Sequence, residues 1–357
     1  MPRPQAPSSE SAMKVLSVVE HCNTIHRFVL CSIISRGYIS PGAGKVVTQD
    51  SHKPANACIR IIENNVLTID GHAHAVDEFS NVERLLELLD RFGVDKIALC
   101  PGPKNNSSLR NDTNLFLRLL ARFTLSASES LPTFIRQHPF YTRFIINNAV
   151  RLACSRILKD GDAGNGFVRS FAKKCPERII QIYWVDPGAT DFMKTLQEDF
   201  ARYNFKGIKL HQACNSLSNS SVEMNQISRF AAENKLPIFI HIWSENEAHK
   251  LVTLAEKHPQ AIFVVLHLIG LEAIAECTRH NRPENIYFDV SPYSYTSRQR
   301  IEFAVKEFGA EHVVFGSDFP IDKRSPQEGI KRIQSMDISD GEKKQILGEN
   351  LKRLLQL

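Results

Sequence analysis

The sequence predicts an α/β protein built as a (β/α)8 TIM barrel, with a helical insertion after strand 2 and an N-terminal extension. Three observations lead there. Eight short apolar or β-branched runs alternate with amphipathic stretches from Val66 onward, which is the rhythm of a parallel sheet with helical crossovers. Five potential metal ligands, His72, His74, His241, His267 and Asp318, stand at the ends of separate apolar runs, as residues gathered at one barrel mouth would. No Gly-x-Gly-x-x-Gly follows the first run, which counts against a doubly wound open sheet.

Taken in order, residues 1–63 form the extension. Its first eleven residues are rich in Pro and Ser and read as disordered. Residues 13–36 have the length of one helix, stopped by Gly37, and 40–44 read as a loop. His21 and His26 in this segment read as solvent-facing rather than as ligands. The barrel occupies 64–357, with strands expected at 66–70, 96–100, 179–185, 207–211, 236–241, 262–267, 286–290 and 312–317. Helices are expected at 82–92, 191–203, 221–234, 245–258, 270–280 and 297–308; Leu85, Leu88, Leu89 and Phe92 show the spacing that marks them. The connection at 101–177 is too long for one crossover. The insertion within it, about 104–176, holds helical pieces at 111–123 and 133–158. Arg136, Arg143, Arg151 and Arg156 interleave with aromatic and aliphatic residues in the second piece. It reads either as a surface cap with solvated arginines or as a lid whose arginines meet an anionic substrate.

Composition narrows the class. Apolar residues at 43% and charged residues at 23% suit a soluble enzyme with an ordinary core. A net charge of +5 spread without any Lys/Arg block excludes nucleic acid as the expected partner. The eight cysteines include no Cys-x-x-Cys, so reduced thiols are expected rather than a disulfide framework. The apolar stretch 28–34 is too short for a bilayer and lacks a basic lead-in, so neither a membrane span nor a signal peptide is read and the cytoplasm is the expected location.

The chemistry rests on spacing. His72 and His74 lie two apart and so point the same way from an extended chain, which puts two imidazoles on one ion; Asp70 faces the same interior and can support them. His241 and His267 each close an apolar run. Either alone is more often a hydrogen-bonded polar residue, but beside the first pair they converge on one mouth. Asp318 follows the last strand, where a carboxylate can bind an ion and take a proton from its water, or simply cap a loop. Imidazole and carboxylate together suit a zinc-like divalent ion, one being favoured and two being the alternative. Lys209 and His211 also lie two apart on one strand. An inward lysine is costly unless it contacts substrate, bridges two metals as a carbamate, or pairs with a carboxylate.

These residues resemble the amidohydrolase superfamily, in the amidohydrolase-related branch that includes aminocarboxymuconate-semialdehyde decarboxylase and related hydrolases and decarboxylases. The resemblance runs from about Val66 to Leu357. It is carried by Asp70-Gly71-His72-Ala73-His74, Gly207-Ile208-Lys209-Leu210-His211, His241 with Trp243, His267-Leu268-Ile269-Gly270, Gly316-Ser317-Asp318-Phe319-Pro320 and Ile346-Leu347-Gly348-Glu349-Asn350. It implies a zinc held by His72, His74, His241 and Asp318, with His267 as the acid/base beside the activated water. Two-metal members would instead imply His241 and His267 on a second ion with Lys209 as the bridge. His241-Ile242-Trp243 departs from the His-Pro-Trp of the decarboxylases, and only Gly270 remains of their glycine-rich turn. The expected activity is therefore metal-dependent hydrolysis of a C–N or C–O bond in a small organic substrate, contacted by Lys209, His211 and Trp243. The alternative is non-oxidative decarboxylation of an unsaturated or aromatic acid on the same site. A catalytically silent binding barrel is the third reading, disfavoured by the intact His-x-His. The resemblance also admits a homodimer.

Overall fold

The computed structural model describes residues 66–102, 164–215, 217–324 and 326–357. The expected extension at 1–63, the helical pieces at 111–123 and 133–158, and the arginines of the second piece lie outside the described residues.

Eight parallel strands neighbour one another in sequence order: β1 (Ile69–His74), β2 (Lys96–Cys100), β3 (Ile179–Trp184), β4 (Gly207–His211), β5 (Ile238–His241), β6 (Phe263–Val265), β7 (Ile286–Asp289) and β8 (Val313–Val314). The ring closes through the chain that leaves β8. Gly71 N–H donates to Phe315 O at 3.0 Å, Asp318 N–H to His72 O at 2.7 Å and His74 N–H to Phe319 O at 2.9 Å. The expected barrel is thus the observed one.

Alternation along the strands sorts side chains into two layers. Ile97, Leu99, Ile208, Leu210, Ile238, Ile240, Phe263 and Val265 pack outward under the helices. Ala98, Cys100, Ile180, Ile182, Phe239, Val264, Tyr287 and Val314 pack in a separate cluster with Leu351, Leu354 and Leu355 from the C-terminal segment. Each fully buried aliphatic or aromatic side chain contributes about 1.5–3 kcal/mol relative to exposure. The parity that sends Ile208 and Leu210 outward sends Lys209 and His211 inward.

The helices are α1 (Val82–Phe92), α2 (Asn165–Lys174), α3 (Phe192–Tyr203), α4 (Val222–Glu233), α5 (Glu245–Lys257), α6 (Leu271–Cys277), α7 (Arg298–Phe308) and α8 (Gln327–Gln334). Their starts follow from side chains that satisfy the first free N–H groups. Asn81, Ser221, Ser244 and Ser297 accept from Arg84, Met224, Glu247 and Arg300, each cap being worth about 1 kcal/mol. Gly93 ends α1 at φ 72°, a conformation costly for any residue with a Cβ. The chain finishes with Asp340–Lys344, a π turn at Gln345–Glu349 and Asn350–Leu354.

Three strands depart from expectation by more than two residues, while β3, β5 and β7 are one or two residues shorter than expected. β1 runs three residues late and contains both His72 and His74 rather than stopping before them. β6 stops at Val265 because His267 and Leu268 turn to φ 62° and 52°. β8 keeps only Val313–Val314 in the ladder, since the following residues bond to β1 instead. α2 falls inside the insertion and was not among the expected helices. Cys100, Cys175 and Cys277 are free thiols, as expected. Among the described residues no helix is long and apolar enough to cross a membrane.

Gly348 lies against the backbone of Leu67, with no room for a Cβ before the Leu67 carbonyl. Gly348→Ala should therefore lower unfolding stability by about 1–3 kcal/mol through overpacking, read by urea denaturation. Gly341→Ala, where the nearest heavy atom is 3.8 Å away, should not be destabilising.

Candidate metal centre

Every strand presents a polar or aromatic side chain near its C-terminal end: His72 and His74 from β1, Cys100 from β2, Trp184 from β3, Lys209 and His211 from β4, and His241 from β5. His267 follows β6, Asp289 ends β7 and Asp318 follows β8. This is the end at which barrels of this kind carry their chemistry.

His72, His74 and Asp318 meet directly. His74 Nε2 is 3.2 Å from Asp318 Oδ1, and His72 Nε2 is 3.8 Å from the same oxygen. On the far side of the His74 ring, Nδ1 lies 2.8 Å from the Pro101 carbonyl and 3.3 Å from Cys100 Sγ. The Lys209 amine is 2.8 Å from His72 Nε2 and 5.8 Å from the centre of the Trp184 ring. His267 stands 5.2 Å from His72 and 5.1 Å from His241, centre to centre. His241 stacks on His211 at 4.0 Å and 10°, and Trp184 continues that plane 6.2 Å from His211 at 11°.

Carboxylates and hydroxyls behind these groups fix them in place. Ser317 donates to Asp70 from N–H at 2.9 Å and from Oγ at 2.6 Å, and His72 N–H donates to Asp70 at 3.2 Å. Asp70 thus ties β1 to the β8 exit instead of reaching toward an ion. Gly316 must lack a Cβ, because one would collide with Asp289 Oδ1 and press on His72 Cβ at 3.1 Å. Asp289 Oδ2 accepts from the His267 N–H at 3.2 Å, the Ser291 N–H at 3.3 Å and the Ser291 hydroxyl. Ser291 Oγ in turn lies 3.2 Å from His72 Nδ1 and 3.1 Å from His267 Nδ1. Asp318 and His267 both hold left-handed backbone, φ 57° and 62°, strain of about 1–3 kcal/mol each that such sites commonly carry.

Burial sets the charges. It pushes His72, His211 and His241 well below the ordinary imidazole range and His267 down to about 4, so all four are neutral and able to ligate near neutral pH. Burial also disfavours charge on His74, but Cys100 and Asp318 outweigh it and raise the ring to about 10. Burial lifts Asp70 and Asp289 to about 7. It works the same way on Asp318, where His74, His267 and Lys209 prevail and hold the carboxyl below its usual value. Lys209 is lowered, chiefly by burial.

Of the residues expected at a site, His72, His74, Asp318, Lys209, His267, His211 and His241 do gather at one mouth. Trp243 is half-buried beyond β5, its N–H bonded to Gln212 Oε1 at 2.9 Å. Two groups bring ligand atoms within 4.8 Å of one another, His72/His74/Cys100 and His72/His267/Asp289; His241 belongs to neither. Sequence reasoning passed over Cys100, Trp184, Asp289 and Ser291. Each lies at or just after an expected strand end, and that was the available signal.

The family comparison agrees with this geometry. Residues 160–357, more than half of the chain, match the amidohydrolase model Amidohydro_2. The chain belongs to this amidohydrolase family. No curated protein matches the sequence. Among solved structures, this amidohydrolase is similar to 5-carboxyvanillate decarboxylase from Novosphingobium aromaticivorans, complexed with manganese and 4-hydroxy-3-methoxy-5-nitrobenzoic acid: TM-score 0.54, 15% identity, covering 82% of this chain and 96% of that one. It is also similar to 4-oxalomesaconate hydratase from Rhodopseudomonas palustris (TM-score 0.52, 14% identity, 81% and 96%). A probable 2-pyrone-4,6-dicarboxylic acid hydrolase from Acinetobacter baumannii, with citric acid bound, gives a TM-score of 0.53 at 14% identity over 81% and 99%. At such identities the likeness speaks for the barrel.

Removing the Ser317 hydroxyl leaves one oxygen of the fully buried Asp70 without its donor. Ser317→Ala should cost about 1–3 kcal/mol in chemical denaturation, while Ser170→Ala on the exposed face of α2 should cost nothing measurable.

Proposed function

We propose that this amidohydrolase is a metal-dependent hydrolase, cleaving a C–N or C–O bond of a small, planar, carboxylate-bearing substrate with activated water. One observation carries the metal. The Pro101 carbonyl can only accept, so His74 Nδ1 bears the proton facing it. The raised ring also carries Nε2–H, which donates to Asp318 Oδ1 at 3.2 Å, and an ion that displaced this proton would find the Nε2 lone pair aimed at that oxygen. His72 Nε2 lies 3.8 Å from the same oxygen, so two imidazole nitrogens approach one carboxylate oxygen. An ion could take the place of the His74 proton and the Lys209 amine that satisfy them without metal. Bonds of about 2.1 Å to a tetrahedral or octahedral ion place ligand atoms about 3.0–3.4 Å apart. The His74–Asp318 separation matches that range and the His72–Asp318 separation is wider, so His72 would have to move inward to share an ion with them. His72, His74 and Asp318 would hold the ion, with His241 the fourth ligand and His267 the acid/base; a second ion would draw on His241, His267 and Lys209.

Such an ion supplies Lewis acidity and a water acidified toward neutrality. Asp318, held as a carboxylate by His74, His267 and Lys209, would be the proton acceptor beside such an ion. His267, neutral and braced from behind by Asp289 and Ser291, is set to relay a proton to the leaving group. Lys209 supplies a cation for a substrate carboxylate, and the parallel His211–His241 stack with Trp184 offers a flat face for an unsaturated or aromatic ring.

That flat, cation-flanked wall also favours a second reading, non-oxidative decarboxylation, which several structural neighbours perform on hydroxylated benzoic acids. Against it, Asp318 begins as a proton acceptor, whereas replacing carbon dioxide by hydrogen requires a donor at carbon. A panel of lactones, amides and hydroxybenzoic acids separates the two: 18O from solvent water should enter the product, and carbon dioxide release without hydrolysis would sink the first reading.

Zinc or manganese added to chelator-treated protein should bind at about one ion per chain and raise the melting temperature, as any ligand of the folded state does. His74→Gln should abolish that rise. If none of zinc, manganese or iron binds or stabilises the wild-type protein, the silent-barrel reading replaces this one.

A further inference from the structure

Behind the proposed ligands, Ser291 touches more of the site than any other hydroxyl among the described residues. It lies two residues beyond the end of β7, fully buried, within reach of Asp289, His72 and His267 at once. The Asp289/His72/His267 group could be mistaken for a second cation site. Its imidazole-to-carboxylate separations, however, are 3.8 Å from His72 Nδ1 and 3.9 Å from His267 Nδ1. The Ser291 hydroxyl stands within hydrogen-bond distance of all three groups, so the cluster is a hydrogen-bond junction.

We propose that Ser291 is the positioning residue that sets the ring tautomers of His72 and His267, holding both as Nδ1–H so that both Nε2 lone pairs are left for the mouth of the barrel. A serine hydroxyl has one proton and two lone pairs. Its shortest contact is to Asp289 Oδ2, an acceptor, so the proton goes there. What remains toward the imidazoles is acceptor capacity, and each ring must supply the proton from Nδ1. Two further contacts agree independently. The Ser291 carbonyl, which can only accept, lies 3.0 Å from His267 Nδ1. On the opposite edge of His72, the Lys209 amine donates to Nε2 at 2.8 Å, which requires a lone pair there.

The two rings depend on Ser291 differently. Among the described residues, the hydroxyl is the one hydrogen-bond partner of His72 Nδ1, whereas His267 keeps the backbone carbonyl whatever the side chain. Asp289 is the anchor for both, because its Oδ2 orients the hydroxyl and also holds the His267 and Ser291 backbone N–H groups. Partners that bond the far nitrogen of a ligating imidazole fix its ring orientation and commonly change metal affinity by about 10–100-fold. The consequence for metal rests on the proposed function; the tautomers do not.

The test is 15N NMR of the histidine side chains in metal-free, full-length protein. Wild type should show Nδ1–H at both His72 and His267, and Nε2–H at either would overturn the proposal with no variant needed. In Ser291→Ala, with folding checked by circular dichroism, the His72 Nδ1 signal should shift because its proton has lost its acceptor, while His267 keeps Nδ1–H on the backbone carbonyl. Because Lys209 still donates to Nε2, loss of the single His72 tautomer is expected in Ser291→Ala combined with Lys209→Met. An unchanged His72 signal would likewise overturn it. Ser291→Thr should restore the wild-type His72 signal, and loss of the signal in a folded Thr variant would count against the hydroxyl. If wild type binds zinc, Ser291→Ala should weaken the dissociation constant by about 10–100-fold. A wild type that binds no metal yet shows both Nδ1–H tautomers would leave this inference standing and remove the proposed hydrolase instead.

Discussion

The seam where β1 meets the chain leaving β8 governs both the fold and the site. Backbone bonds from Gly71, His74 and Asp318 stitch it, and the buried Asp70–Ser317 pair locks it from within. Because those bonds run through the residues next to the proposed ligands, closing the barrel and bringing Asp318 to His72 and His74 are one event. A slip of one residue along the seam would turn the imidazoles to the other face of the sheet. Gly316 is required at the same place, since any side chain there would displace Asp289 and crowd His72.

Concentrating so many polar groups in a low-dielectric interior is unfavourable unless each has a partner. The structure meets that demand for part of the site, from outside inward, while His211 Nδ1, His241 Nδ1 and Asp289 Oδ1 are buried without a hydrogen-bond partner among the described residues. Asp70 and Asp289, both lifted to about 7 by burial, accept several N–H and hydroxyl donors apiece. His72 and His267 are kept neutral, and the outer nitrogens of His72, His74 and His267 are engaged by the Ser291 hydroxyl, the Pro101 carbonyl and the Ser291 carbonyl. The inner nitrogens of all three face the mouth, where His72 Nε2 meets the Lys209 amine and His74 Nε2 meets Asp318.

Much of this was legible in the chain. Period-two and period-3.6 patterns located all eight strands and six of the helices, with 82–92 and 96–100 and 207–211 placed without error. His-x-His and the strand-end pattern pointed to seven residues that do converge. What stayed hidden was contact that depends on register between distant strands. Asp289 ends an apolar run as His241 does, but a lone carboxylate there carries no spacing signal until β7 is seen beside β8 and His267. Ser291 is one serine among many, and only the path of the loop after β7 brings it behind two histidines. The early stops of β6 and β8 have a related cause: the chain abandons regular pairing there to aim His267 and Asp318, and propensity cannot register a demand made by tertiary structure.

Lys209 is where the protein and any ion meet in competition. Its amine donates to His72 Nε2, and that nitrogen has a single in-plane lone pair. An ion bound by the same nitrogen needs the same electrons, so metal and Lys209 cannot both be partners of His72 at once. Desolvation already weakens the hold of Lys209 on its proton, and the nearest alternative surfaces are the Trp184 face and the open mouth. Loading the site therefore frees a buried cation at the point where a carboxylate-bearing substrate would arrive. On the proposed reading, the same lysine that satisfies His72 without metal would, with metal, be the charge that an anionic substrate complements.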